Sequence, residues 1–247
     1  MTLLNSSVSK LIDMRMSVFA HTYQEQSDDP ISASLDFDER LAMLIDAEWD
    51  SRRTNKRTRL LRGADFSCPD ACISDIRYDP DRKLDKDRII ELSHCTWIKE
   101  HRNLIVTGAT GAGKSWLGCA LGVAACNNFY SVRYVRMPQL LDELCVKKDE
   151  EWLKIKKKYI TCDLLIIDDW MLEPLSSEQA RELLEIVESR NQSGSLMLCS
   201  QFSAGGWTDK IGEGAVAEAI VYRIIHNSYV IHIEGEESMR KRMSGIE

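Results

Sequence analysis

Residues 108–115 read Gly108-Ala-Thr-Gly-Ala-Gly-Lys114-Ser115, a match to G-x-x-x-x-G-K-[ST] without a mismatch. A β-branched, apolar run at 103–107 enters it and an apolar helical stretch at 114–127 leaves it. That context predicts a loop between a strand and a helix. Its glycines let the backbone curl until successive N–H groups face phosphate oxygens, and the N-terminal end of the helix adds a positive field. Gly108, Ala109, Thr110, Gly111, Ala112, Gly113, Lys114 and Ser115 are therefore expected to bind nucleotide, with Trp116 next along the helix. Lys114 would meet the β- and γ-phosphates, and Ser115 would offer a hydroxyl to Mg²⁺. ATP and Mg²⁺ are thus the expected ligands. The rival reading is a glycine-rich turn matching by chance, and the complete motif with both flanks weighs against it.

Outward from this loop, short apolar runs alternate with helical stretches. Strands are expected at 103–107, 132–135, 164–167, 196–199 and 229–233, and helices at 114–127, 138–145, 176–190 and 215–225. Such alternation predicts an α/β fold, a parallel sheet with helices on both faces. The run Leu164-Leu-Ile-Ile-Asp168-Asp169 ends in acids, at the sheet edge where open α/β folds bind ligands. Asp168 would hold Mg²⁺ through water and Asp169 would orient or polarise the attacking water. The plainer reading is a pair of solvated acids. Ser200 and Gln201 end the next strand, where a polar side chain can reach the γ-phosphate; a strand-end turn explains them equally well. Arg223 interrupts an apolar helix, as an interface residue or as a snorkelling one. Arg240, Lys241 and Arg242 follow the last strand and by chemistry alone could be a solvated tail.

The first part of the chain is different. Val8, Leu11, Ile12, Val18 and Phe19 predict a helix over 7–23, broken by Ser27-Asp-Asp-Pro30. Asp36 with Glu39 predicts a reciprocal cap, opening a helix that runs through a basic stretch toward Gly63. Arg52, Arg53, Lys56, Arg57, Arg59 and Arg62 carry that stretch with no acid between them. They are the candidate contacts to DNA phosphates; a solvated face paired with the acids of 36–50 is the alternative. Lys147, Lys148, Lys154, Lys156, Lys157 and Lys158 form a second basic stretch. Residues 1–65 are read as a helical unit, 66–102 as a linker that is also a candidate adenine pocket, and 103–247 as the nucleotide-binding domain. A helix is expected over 85–97.

Bulk properties narrow the class. The 247 residues carry a net charge of −7, so affinity for nucleic acid needs a local basic patch. No apolar run approaches the roughly 20 residues that span a bilayer, and the N-terminus lacks the pattern of a signal peptide. The eight cysteines include no C-x-x-C pair and form no disulfide framework, which points to a reducing, cytoplasmic setting. Cys68 and Cys72 could begin a metal site, but no second pair follows.

Taken together, these residues resemble the AAA+ ATPases of the IstB/DnaC type, and within them the IstB-like group of insertion-sequence transposition helpers. The resemblance covers most of the chain. It includes Glu39-Arg-Leu-Ala-Met-Leu-Ile-Asp-Ala-Glu48-Trp-Asp-Ser-Arg52, Leu121-Gly-Val-Ala-Ala-Cys126, the Asp168-Asp169 strand and Ala219-Ile-Val-Tyr-Arg-Ile-Ile-His226. Gly235-Glu-Glu-Ser-Met-Arg240 is similar to the family's Gly-x-Ser-x-Arg ending, with one extra residue. By this resemblance Ser200 and Gln201 form the first sensor, Arg223 is an arginine finger supplied to a neighbouring subunit's ATP, and Arg240 is the second sensor. Asp169 stands where many AAA+ proteins have Glu. About a dozen residues follow the last strand, so no room is expected for the C-terminal helical lid of larger AAA+ proteins. The resemblance implies an AAA+ core and a homo-oligomer with ATP at its subunit interfaces. It also implies partners in double-stranded DNA and a cognate transposase. A DnaC-type replicative helicase loader shares the core and differs in its partner. A small-molecule kinase would leave Asp169 and the basic helix unexplained, and a module that holds ATP without turnover would show binding and no hydrolysis.

Overall fold

The computed structural model describes residues 3–145, 150–212, 214–235 and 238–244. The chain divides into two compact units, Met1–Arg59 and Leu60–Glu247.

The first unit holds α1 (Leu3–Asp13), α2 (Ser17–Asp28) and most of α3 (Phe37–Ala64). The single helix expected over 7–23 is two. Arg15 takes φ 59°, and Arg15 and Met16 donate back to the Ile12 and Leu11 carbonyls at 2.8 and 2.9 Å. This satisfies the carbonyls that a helix end leaves open. A glycine usually makes that turn, so the sequence carries no sign of it. The expected cap of α3 is present: Glu39 N–H donates to Asp36 Oδ1 at 2.8 Å and Asp36 N–H to Glu39 Oε2 at 3.2 Å.

The second unit is an α/β fold. After α4 (Lys86–Ser93) and α5 (Thr96–Lys99) come β1 (Asn103–Gly108), α6 (Lys114–Asn127), β2 (Val132–Arg136), α7 (Met137–Leu144), α8 (Glu150–Thr161) and β3 (Leu164–Trp170). Then follow α9 (Ser177–Arg190), β4 (Ser195–Ser200), α10 (Trp207–Ile211), α11 (Ala215–Ile225), β5 (Ser228–Ile233) and α12 (Met239–Ser244). The strands form one sheet in the order β2-β3-β4-β1-β5, all neighbours parallel.

Alternation along the strands builds a core on each face. Leu104, Val106, Ile166, Met197 and Cys199 face α6 and the segment before β1. Ile105, Leu165, Ile167, Leu196 and Leu198 face α7, α9 and α11. Each fully buried aliphatic side chain here contributes about 1.5–3 kcal/mol against chain entropy. Residues 66–102, read as a linker, belong to this unit: Ala71, Ile76, Ile89, Leu92, Trp97 and Ile98 are buried in the first core. The helix expected over 85–97 is divided by Cys95, which takes φ 62°.

Candidate nucleotide site

The phosphate loop joins β1 to α6. Gly111 and Gly113 take φ 81° and 92°, a region side chains avoid. Four of the loop's carbonyls find side-chain or backbone donors, as buried carbonyls must. Lys114 Nζ donates to the Gly108 and Ala109 carbonyls, both at 2.9 Å. Met239 N–H donates to Gly111 O at 2.8 Å and Arg82 Nη2 to Ala112 O at 2.9 Å. Lys114 is 9% exposed, and burial lowers its pKa while the charges of Cys199, Asp168 and Asp169 oppose that shift.

A cleft of ≈ 450 Å³ opens beside the loop, bordered by Lys114 and Ser115 and lined further by Ile76, Arg77, Arg82, Trp116 and Met239. Trp116 thus stands at this cleft. Part of the segment before β1 walls it, in the region that the sequence offers as the adenine pocket.

The acids at the end of β3 have distinct surroundings. Asp168 is 4% exposed. Its Oδ2 accepts from the Tyr134 hydroxyl at 2.7 Å and its Oδ1 from Asp169 N–H at 3.0 Å. Burial pushes the Tyr134 pKa up, which keeps the phenol a donor. Asp169 takes φ 55°, and its Oδ2 accepts from Arg136 Nε at 2.8 Å and Nη2 at 2.7 Å. A hydroxyl on Ser115 and a carboxylate on Asp168 are hard oxygen donors of the kind Mg²⁺ takes. Both Asp168 oxygens already accept a hydrogen bond, which suits contact through water. The residues present therefore fit the metal.

Ser200 and Gln201 divide their roles. Ser200 is fully buried, and its hydroxyl donates to the Trp170 carbonyl at 2.9 Å. Gln201 is exposed, and its Oε1 accepts from Thr110 Oγ1 at 2.9 Å. Gln201 therefore meets the phosphate loop, whereas Ser200 fixes the strand end behind it. Arg223 is elsewhere. It pairs with Glu188 at 2.9 Å and donates to Ala219 O at 3.1 Å. It lines a small cavity with Asn103, the first residue of β1. The phosphate loop follows the last of that strand's six residues, roughly 17 Å away along the strand. The side chain of Arg240 lies outside the described residues, as do Lys147 and Lys148.

The basic residues of α3 from Arg52 to Arg62 are exposed. Arg52 Nε donates to Glu48 Oε1 at 2.6 Å, and the Arg53 guanidinium lies 5.7 Å from the Trp49 ring centre. The pairing with nearby acids thus holds for Arg52. Sequence reasoning did not identify Tyr134, Arg136 or Arg82. For the first two a signal existed: β2 neighbours β3, and its register sets Arg136 opposite Asp168.

The strand order, the phosphate loop after β1 and the acids ending β3 define a P-loop nucleoside triphosphatase fold. The chain belongs to the IstB-like ATP binding protein family, whose sequence model matches residues 9–245. It is 34% identical over 241 residues to the insertion sequence ATP-binding protein y4pL of Sinorhizobium fredii, covering 97% of this chain and 98% of that one. It is 36% identical over 203 residues to the insertion sequence IS1162 ATP-binding protein of Pseudomonas fluorescens, covering 82% and 88%. Among solved structures, the DnaC helicase loader superposes with a TM-score of 0.55 at 16% identity, over 66% of this chain and 97% of that one. That likeness is one of fold. The chain is thus an ATP-binding protein with an AAA+ core. Among the described residues no helix is long and apolar enough to cross a membrane.

Proposed function

We propose that this chain is a cytoplasmic, Mg²⁺-dependent ATPase that assembles as a homo-oligomer on double-stranded DNA and assists the transposase of an insertion sequence. The observation that carries the catalytic part is that Lys114 borders the cleft, that Asp168 and Asp169 at the end of β3 act on its charge, and that Gln201 after β4 accepts from Thr110 of the loop. The loop amides and Lys114 bind the triphosphate. Ser115 and, through water, Asp168 would hold Mg²⁺, and the ion would supply positive charge to the triphosphate. Asp169, once released from Arg136, accepts a hydrogen bond from the attacking water and orients it. Gln201 reads the γ-phosphate from the next strand, with Ser200 holding that strand end in place. Arg223 and Arg240 keep the roles their motifs suggest, finger to a neighbour's ATP and second sensor. Arg223's place beyond the far end of β1 supports action in trans.

The DNA contact is supported by the exposed basic residues of α3, and the transposase by the insertion-sequence names of the relatives. The testing experiment is phosphate release from MgATP with and without double-stranded DNA, followed by capture of the transposase in parallel with a replicative helicase. Stimulation by DNA and capture of the transposase are expected. Capture of the helicase alone would favour the loader reading. Hydrolysis indifferent to DNA but dependent on a metabolite would favour a kinase.

A further inference from the structure

Two segments far apart in sequence reach the phosphate loop. The first precedes β1. There Arg82 is 5% exposed and donates to Ala112 O at 2.9 Å and to the Arg77 carbonyl. The second follows β5. There Met239 N–H donates to Gly111 O at 2.8 Å. A Cβ on Gly111 would lie 2.5 Å from Ser238 Cβ, and one on Gly113 would lie 3.1 Å from Arg82 Nη2. Each segment thus holds one carbonyl of the loop, and Ser238 leaves no room for a side chain at Gly111.

The segments are also tied to each other. Arg242 Nη1 donates to Asp79 Oδ2 at 3.0 Å and to Asp81 Oδ1 at 3.2 Å, and Nη2 donates to Asp81 Oδ2. Glu234 N–H donates to Arg82 O at 3.2 Å, and Lys83 pairs with Glu234 at 2.6 Å. Arg82 and Met239 both line the cleft, so parting the two segments would widen it.

We propose that residues 79–82 and 238–242 form a clasp on the phosphate loop, in which Arg82 is a positioning residue and the ion pairs of Arg242 with Asp79 and Asp81 set how fast nucleotide leaves. The clasp rests on the reading of the cleft as the nucleotide site. Holding the Ala112 carbonyl turns the Gly113 amide of the same peptide the other way, toward phosphate, and holding the Gly111 carbonyl fixes the peptide whose Ala112 N–H closes the loop onto Ala109 O at 3.1 Å. Losing the Arg242 pairs frees both carbonyl donors to drift together, so the effect appears as release rate.

The test uses the full-length protein with Mg²⁺ and the fluorescent nucleotide mant-ADP, chased by excess ADP in stopped flow. Wild-type protein binds the probe and releases it faster as ionic strength rises, because the pairs are partly exposed and are screened. Arg242→Ala, and separately the double variant Asp79→Asn with Asp81→Asn, release it about two to five times faster, as loss of a partly exposed ion pair implies. The triple variant is no faster than either, since both remove the same interaction. Arg242→Lys recovers most of the wild-type rate. Unchanged release in Arg242→Ala, or effects that add in the triple variant, would overturn the clasp and leave the nucleotide site standing. If Arg242→Ala does not fold, wild-type release indifferent to salt would overturn the clasp. Wild-type protein that fails to bind the probe would overturn the clasp and the reading of the cleft together.

Discussion

Arg136 donates from both Nε and Nη2 to one oxygen of Asp169, at 2.8 and 2.7 Å. The bond raises the Arg136 pKa, with the Asp169 hydrogen bond as its first cause. A carboxylate held in this way has its charge partly neutralised and its strongest acceptor occupied. Asp169→Asn is expected to keep ATP affinity and slow hydrolysis by about 10²–10⁴-fold, the usual worth of a positioned base. Arg136→Ala is expected to raise basal phosphate release by freeing the carboxylate. Equal losses in both variants would show that the arginine works with the carboxylate and does not restrain it.

Lys114→Ala removes the loop's cation and the donor to two of its carbonyls, so ATP binding should be lost. Wild-type affinity in this variant would sink the phosphate-loop assignment. Arg223→Ala should bind ATP but hydrolyse it slowly. Mixed with Lys114→Ala subunits, it should regain activity, because each chain supplies what the other lacks. Confirmed mixed oligomers without recovery would exclude a finger in trans.

Replacing Arg52, Arg53, Arg57 and Arg59 by Ala should weaken binding to all DNA sequences alike, since phosphate contacts carry no base information. The log–log salt slope should flatten by roughly 0.9 for each phosphate that the variant no longer neutralises. ATP binding by isolated subunits should persist. If affinity and slope both survive, Lys147, Lys148, Lys154, Lys157 and Lys158 become the better candidates.

The thiols offer a footprint of the cleft. Cys72 is exposed, and hydrogen bonds from Ser74 lower its pKa. Burial raises Cys95 and Cys119 to about 11 and Cys126 to about 12. At pH 8, below all three raised values, those thiols stay protonated and shielded, so a maleimide should label Cys72 first. Cys68 lines the cleft and should lose reactivity when MgATP is added. Peptide mapping by mass spectrometry reads both effects. Labelling of Cys68 indifferent to nucleotide would displace the ligand from this cleft.

Gly122→Ala should destabilise the second unit. Its new Cβ would lie 2.5 Å from Phe66 Cε1 and 2.8 Å from Ile166 Cδ1. Overpacking of this kind costs about 1–3 kcal/mol. A lowered Tm checks it, and an unchanged one would mean that Phe66 does not pack on α6.

What the sequence discloses follows from range. The phosphate loop, the five strands and the Asp36–Glu39 cap depend on neighbours within a few residues, and each is legible. The breaks at Arg15 and Cys95 are not, because non-glycine residues in left-handed conformation leave no mark in composition. Nor is the packing of 66–102, whose apolar residues are scattered among prolines and charges. Asp168 and Asp169 stand out as acids ending an apolar strand, but Tyr134 and Arg136 reach them only across the β2–β3 register. Arg82 cannot be found from sequence, since its acceptor on the phosphate loop lies 30 residues further along the chain.

Arg223 and Lys114 stand beyond opposite ends of the same strand. No change of rotamer spans that distance, so one polypeptide cannot bring both groups to one triphosphate. Where both are needed, turnover belongs to a pair of chains and rises with protein concentration more steeply than in proportion. An assembly that mixes intact chains with chains lacking Arg223 would then keep only the interfaces to which an intact chain supplies the arginine, and its turnover would fall with the share of defective chains.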